Sequence, residues 1–402
     1  MSDDAREHKS EAVVLDSSFL DPNLPSKISG DGDGDGGDDA KLDDDHLDPV
    51  LIILNHNLPR LTAALWRRAR LVVVADGGAD RLLEASRGWE EAFGPISSSS
   101  SSSWRRRRRS SCDDGNDDGK PSSSLPPPPF LPDFIVGDLD SISSEARLHY
   151  GDALGVPIVD LSPDQDSTDL QKCLAFAAAE VEKSQNERRQ QRPASSSSLP
   201  RAPPPVFVAG ALGGRLDHSL SAISTLYAVD AAKRRMTKEK GEREEEEEEE
   251  RGGFAAAAAR SLGEIVLAGD GSLARLVPSS SDSPTTTKIL PCAAVEGPGC
   301  GLVALGSPAA GVETSGLEWN LTGGGAALEM GGLQSTSNSL VEGGKDEVTV
   351  TAGPDGVRFL LISGAPIEEP VAWAGPIVMN TKAELQQAMT DLRNGTFIKP
   401  AH

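Results

Sequence analysis

Phe134-Ile-Val-Gly-Asp-Leu-Asp-Ser141 and Pro163-Asp-Gln-Asp-Ser-Thr-Asp169 decide how this chain is read. In the first stretch the apolar run Phe134–Val136 ends in Asp138 and Asp140. In the second, three carboxylates precede Leu170, Leu174, Ala177 and Val181, which carry the spacing of a helix face. Open α/β sheets place the carboxyl ends of strands and the starts of the following helices along one edge, where ligands bind. Carboxylates gathered there need a cation. An all-oxygen set suits Mg²⁺, which commonly arrives with nucleotide phosphates.

Working outward, the same alternation recurs. Val50–Leu54 and Leu71–Ala75 read as buried strands, with a helix over Leu61–Arg68 between them. The second strand runs into Asp76-Gly77-Gly78-Ala79-Asp80 and a helix through Leu83. Ser143 or Ser144 is placed to cap the helix after Asp140. Val156–Val159, Val206–Ala209 and Glu264–Ala268 add strands. Gly210 to Asp217 follows the middle one and leads to a helix with Leu220, Ile223 and Tyr227 on one face. This predicts a mostly parallel α/β sheet covered on both faces. Beyond about residue 270, short alternating runs between glycines and turn residues predict an all-β sandwich. The expected organisation is an acidic tail over 1–48, an α/β catalytic domain over 49–270, a β-sandwich over 271–364 and a C-terminal extension over 365–402. Low-complexity inserts are expected near 96–129, 184–205 and 236–258. Lys382 to Leu392 fits one terminal helix.

The net charge of −23 belongs largely to the tail and the last insert, since residues 1–50 hold 15 Asp+Glu against 4 Lys+Arg. A general nucleic-acid binder is therefore excluded. The tail run Asp31-Gly-Asp-Gly-Asp-Gly36 imitates a calcium loop, but Leu42 stands where the bidentate Glu belongs. Four cysteines without a CxxC pair give no zinc or disulfide framework. No apolar stretch is long enough to span a membrane, and Met1–Glu7 has no signal-peptide pattern, so a cytoplasmic location is expected.

Transfer of a phosphoryl or diphosphoryl group needs alignment and charge neutralisation more than covalent help. Asp138, Asp140, Asp166 and Asp169, with Asp76 on a neighbouring strand end, could converge on one Mg²⁺. Gly77-Gly78 and Gly213-Gly214 would admit phosphates to backbone N–H groups, and Arg215 adds a fixed cation. No Walker A sequence is present. Taken singly, these signals have commoner structural meanings. An Asp-x-Asp is usually a turn, one of Asp166, Ser167 and Thr168 caps the next helix, Trp319 is an ordinary core residue, and Ser335–Asn338 is an ordinary turn. Recurrence at three or four strand ends of one sheet favours a Mg²⁺–nucleotide site.

In order along the chain, Ile52–Asn55, Ala75–Ala79, Gly137–Ile142, Pro163–Asp169 with Lys172-Cys-Leu174, Gly210–Asp217, Gly316–Leu321 and Ser335–Asn338 resemble the thiamine pyrophosphokinases of the eukaryotic type. The likeness spans about residue 50 to 362. It implies an α/β catalytic domain, a C-terminal β-sandwich and a homodimer with sites at the subunit interface. It also implies transfer of the diphosphate of ATP to thiamine, giving thiamine diphosphate and AMP. By the same resemblance Asp138, Asp140 and Asp169 are Mg²⁺ ligands with Asp76 beside them. Gln165, Asp166, Thr168, Arg215 and Asp217 surround the nucleotide, and Trp319, Ser337 and Asn338 form the thiamine pocket. Asp80, Ser167 and Glu318 depart from the family's Asn, His and Lys. The alternatives are a thiamine or nucleotide sensor without catalysis, and a related pyrophosphokinase acting on another heterocyclic alcohol.

Overall fold

Apolar runs of four or five residues, flanked by turn residues, become the central strands. The computed structural model describes residues 13–22, 48–93, 130–190, 202–239, 253–278, 286–341, 347–352, 358–364, 372–374, 377–379 and 381–394. It begins with β1 (Val13–Asp16) and a 3-10 turn over Ser17–Leu20. Then come β2 (Val50–Ile53), α1 (Arg60–Trp66), β3 (Leu71–Ala75), α2 (Gly78–Phe93), β4 (Phe134–Gly137), α3 (Ser144–Arg147) and β5 (Ile158–Asp160). They are followed by α4 (Asp169–Gln190), β6 (Val206–Ala209), α5 (Leu216–Glu239), α6 (Phe254–Ser261) and β7 (Ile265–Gly269). The remainder up to residue 364 is β: β8 (Ser272–Val277), β9 (Thr286–Leu290), β10 (Gly299–Val303), β11 (Glu313–Ser315), β12 (Ser335–Ser339), β13 (Val348–Thr351) and β14 (Phe359–Gly364).

The strand period of two sorts the central residues onto two faces. Leu51, Ile53, Val72 and Val74 pack with Leu65, Trp66 and Leu82 of α1 and α2. Val50, Ile52, Leu71 and Val73 pack with Leu174 and Ala177 of α4, Leu226 of α5 and Ala258 of α6. A sheet buried on both faces needs apolar residues at every position, which is why these strands read as continuous runs. The strands β7-β6-β2-β3-β4-β5 pair in that order, all parallel. The chain winds outward from β2 to β5, then returns to β6 on the other side of β2. That reversal creates a switch point at the carboxyl edge.

Asp270-Gly271, at φ 45° and 74°, then turns β7 into the antiparallel β8. Two consecutive positive φ values mark the two-residue hairpin turn whose twist matches the strands it joins. Through β8 the sheet continues into β14, β10 and β12, reaching ten strands. A second sheet, β1-β9-β13-β11, lies against this far end, and Val277, Ile289, Leu302, Val350 and Phe359 fill the space between. The α/β sheet and the sandwich are both present, as the residue pattern predicts, but one sheet runs through both. The first compact unit accordingly spans Met1–Gly364 without a break near 270.

Other boundaries also differ from expectation. Residues 13–22 are not tail: β1 pairs in parallel with β9, Phe19 and Leu20 are buried, and Arg68 donates to the Phe19 carbonyl. Acidic composition averaged over fifty residues hides this short apolar hook. The insert expected from residue 184 starts later, because α4 runs to Gln190. The charged stretch at 236–258, whose composition allows a loop or a helical extension, is helical at both described ends, in α5 and α6. The expected insert at 96–129 and the calcium-like run lie outside the described residues. The second compact unit, Ala365–His402, holds the hairpin β15 (Ala372–Ala374) and β16 (Ile377–Met379) and α7 (Lys382–Asn394). Thr381 and Glu384 exchange hydrogen bonds as a capping box at the start of α7.

Candidate active site at the carboxyl edge of the sheet

Asp76 follows directly on β3, Asp138 follows directly on β4, and α4 opens at Asp169, so three carboxylates arrive at one edge. One oxygen from each of Asp76, Asp138 and Asp169 lies within 4.8 Å of the other two. Asp76 is fully buried, and its carboxylate accepts from the Gly77 N–H at 2.8 Å and the Ser141 N–H at 3.4 Å. The bend that brings Ser141 back is made by Leu139, which holds φ at 66°. Close approach also requires Gly137, where a Cβ would stand 2.6 Å from the Asp76 Cγ.

The electrostatics record this crowding. Burial pushes the Asp169 carboxyl up to about 6, and the Asp76 and Asp138 charges push the same way. Burial likewise raises Asp76 against the hydrogen bonds from Gly77 and Ser141. Asp138 moves down instead, because Lys172 Nζ donates to its Oδ2 at 2.9 Å. Burial opposes the charge of Lys172, but Asp138 and Asp169 outweigh it and raise its pKa. Three hard oxygen donors at this spacing, their charge only partly offset by one ammonium, fit a divalent cation such as Mg²⁺.

The other expected ligand, Asp140, stands beside the trio but outside it, with Oδ1 accepting from the Ser141 hydroxyl at 2.7 Å. The Pro163–Asp169 loop is organised by Asp164, which accepts from the N–H groups of Asp166 and Ser167 at 3.2 and 3.0 Å. Gln165 is exposed and donates to the Ser162 carbonyl at 2.7 Å. Of the three candidate caps it is Thr168 that caps α4, reciprocated by Gln171 Oε1 at 3.0 Å. Ser143 caps α3 through the Ala146 N–H at 3.1 Å.

Farther along the edge, Arg215 and Asp217 bind one another in the open, and that contact holds the Asp217 carboxyl down to about 2. Gly213, at φ 101°, packs on the His56–Asp270 pair, whose Nε2 and Oδ1 are 3.2 Å apart; a Cβ there would lie 1.9 Å from Asp270 Oδ2. His56 and Asp270 escaped the sequence reading because each is a lone titratable residue in a loop, whereas Asp164 lies within the acidic stretch that the sequence reading covers without giving it a role of its own. Lys172 offered one usable sign, its position one turn beyond Asp169.

Trp319 lies on the sandwich and is 61% exposed rather than in the core. Ser335–Ser339 forms the edge strand β12, not a turn, and Ser337 within it holds φ at 58°. Asn338 is buried beneath, bonded to the backbone of Trp319. Trp319, Ser337 and Asn338 are thus gathered in one place. β12 and β4 are eight positions apart in the ten-stranded sheet. At the usual strand spacing, that separates the indole from the carboxylates of the same chain by roughly 35–40 Å.

Comparison with known proteins gives a consistent result. Residues 62–237 match the family description "Thiamin pyrophosphokinase, catalytic domain", and residues 286–353 match its "vitamin B1 binding domain". Thiamine pyrophosphokinase 3 of Oryza sativa subsp. japonica is 31% identical over 307 residues, covering 76% of this chain and 84% of that protein. The crystal structure of yeast thiamin pyrophosphokinase has the same fold at a TM-score of 0.53, with 19% identity, over 90% of this chain and 93% of that one. A further match falls at the other end. Residues 321–398 resemble the pirin C-terminal cupin domain, and a pirin-like protein of Arabidopsis thaliana is 48% identical over 60 residues, only 22% of its length.

Proposed function

Because the chain belongs to the thiamine pyrophosphokinase family, we propose that it transfers the diphosphate of ATP to the hydroxyl of thiamine, giving thiamine diphosphate and AMP. The observation that carries this reading is the convergence of Asp76, Asp138 and Asp169 on one point at the carboxyl edge. Asp138 and Asp169, joined by Asp76 and flanked by Asp140, would hold Mg²⁺. The ion, when bound, neutralises charge on the phosphate oxygens as the group moves. Gln165, Asp166 and Thr168 border the same opening, and Arg215 and Asp217 occupy the next loop along the edge, where a nucleotide's remaining phosphate and ribose would lie. In the step itself the thiamine hydroxyl oxygen bonds to the β-phosphorus and gives its proton to a carboxylate at this edge, while the bond from the β-phosphorus to the α–β bridging oxygen breaks and AMP leaves with that oxygen.

Trp319 presents an indole face suited to a cationic thiazolium. Asn338 sets the position of the Trp319 backbone, and Ser337 precedes it on the same edge strand as a further group for the ring. The distance between Trp319 and the carboxylates supports a homodimer in which the sandwich of one subunit faces the catalytic sheet of its partner. Among the described residues no helix is long and apolar enough to cross a membrane. The buried free thiols of Cys173, Cys292 and Cys300 suit a reducing compartment, in keeping with the cytoplasm. The test is Asp138→Asn alongside Asp169→Asn. Each should abolish turnover while circular dichroism and the midpoint of unfolding show an intact fold; wild-type rates in either would reject the carboxylate assignment.

A further inference from the structure

Lys172 is the only Lys or Arg side chain for which an ion pair with the three carboxylates is recorded among the described residues. It lies three residues beyond Asp169, so both side chains leave the same face of α4 within its first turn. Its side chain is 2% exposed, with Nζ 2.9 Å from Asp138 Oδ2. An ammonium buried this deeply is out of reach of a phosphate arriving from solvent. It acts on the carboxylates themselves.

We propose that Lys172 is the positioning residue of the metal site: by bonding one oxygen of Asp138 it fixes the orientation of that carboxylate within the trio, and it occupies the place of a second cation. The inference rests on the Mg²⁺ reading of the cluster. Two consequences follow from charge and geometry. Asp76, Asp138 and Asp169 carry three negative charges when ionised; Lys172 leaves two, the charge of one divalent ion. The bond to Lys172 also restricts rotation of the Asp138 carboxylate, which fixes the direction from which it can meet an ion. A site with a built-in ammonium repels bare divalent ions more than a site without one. Lys172 therefore trades affinity for the free ion against orientation of the ion that comes with the nucleotide.

The test uses the full chain and Mn²⁺ alone as the probe, titrated calorimetrically without nucleotide. Lys172→Met should bind Mn²⁺ at least about five-fold more tightly than wild type, because the competing charge is gone. Added Mg²⁺ should raise the unfolding midpoint of the variant by more than that of wild type. In turnover, kcat should fall at least about ten-fold while the KM for thiamine stays within about two-fold. A role in packing alone would move neither the Mn²⁺ affinity nor the response of Tm to Mg²⁺; an unchanged or weaker Mn²⁺ affinity overturns the proposal. If Lys172→Met folds only when Mg²⁺ is present, the ion has replaced the ammonium and the proposal stands. If neither Mg²⁺ nor Lys172→Arg restores folding, it falls. A wild-type chain that binds no Mn²⁺ overturns the metal reading and the role of Lys172 with it. Wild-type binding with an unaltered variant overturns the role of Lys172 alone.

Discussion

Asn338 grips Trp319 by its backbone at both ends: its Oδ1 accepts from the Trp319 N–H at 3.2 Å, and its Nδ2 donates to the Trp319 carbonyl at 2.8 Å. The carboxamide is 3% exposed, while Trp319 itself is 61% exposed. A buried amide thus fixes the segment that carries an uncovered indole. Trp319→Ala should raise the KM for thiamine by about 3–30-fold, the equivalent of a cation–π contact of roughly 0.5–2 kcal/mol, with a smaller change in kcat. Asn338→Ala should raise it too and also lower stability by about 1–3 kcal/mol, since backbone groups lose their partners. Steady-state kinetics and denaturant unfolding measure both, and an unchanged KM in Trp319→Ala contradicts the platform.

Asp169 makes stability depend on pH in an unusual direction. Its folded-state pKa of about 6 lies above the ordinary 3.8, so the fold opposes its ionisation. Between those values the folded chain holds a proton that the unfolded chain has lost. Stability of the metal-free protein should therefore fall as pH rises through that window, and the cost is fully present above about 6. Asp169→Asn in EDTA at pH 7.5 should be more stable than wild type by on the order of 1–3 kcal/mol, a margin that shrinks at pH 5. Mg²⁺ should restore the wild type and not the variant. A variant no more stable than wild type at pH 7.5 removes the argument.

Leu139 separates the two carboxylates of its motif and sits in the left-handed region at φ 66°. A leucine held there costs about 1–2 kcal/mol, which the turn bringing Ser141 back to Asp76 must offset. Leu139→Gly should stay within about 1 kcal/mol of wild type, relief of strain opposing the added freedom of the unfolded chain. Leu139→Ile, branched at Cβ, should lose about 1–3 kcal/mol and most activity. Equal Tm and kcat for Leu139→Ile and wild type would show that the turn tolerates any side chain.

Arg275 is 1% exposed and donates to Ser17 at 2.6 Å, to Glu264 at 3.0 Å and to Glu296. Glu296 also accepts from the Cys292 N–H at 2.8 Å and the Ser363 hydroxyl at 2.9 Å. Removing the cation would leave two buried carboxylates facing one another, so Arg275→Met should cost about 3–5 kcal/mol. Deleting residues 1–21 should lower Tm markedly, because Phe19, Leu20 and the Ser17 contact go together. A truncated chain with wild-type Tm would mean that the amino-terminal hook adds nothing.

The sequence made the parallel sheet legible because burial on both faces demands uninterrupted apolar runs, as in Val50–Ile53 and Leu71–Ala75. It made the acidic edge legible because carboxylates recur after successive strands. Three things stayed hidden. The hook at residues 13–20 is too short to show against its acidic surroundings. The continuity of the sheet past residue 270 depends on the Asp270-Gly271 hairpin, and a turn signal does not say which strands it joins. Strand β12, Ser335–Ser339, has no apolar pattern, and its one buried side chain, Asn338, serves the Trp319 segment. The place of Asp76 among the three clustered carboxylates, in preference to Asp140, is set by Leu139 and Gly137, and spacing alone does not reveal backbone direction.

The most direct measurement mixes the purified chain with ATP, thiamine and Mg²⁺ and separates the nucleotides from the thiamine esters. AMP and thiamine diphosphate should appear in equal amounts, and only when Mg²⁺ is present. ADP with thiamine monophosphate, or no turnover by a folded protein that still binds thiamine, would contradict diphosphoryl transfer at the Asp76–Asp138–Asp169 site.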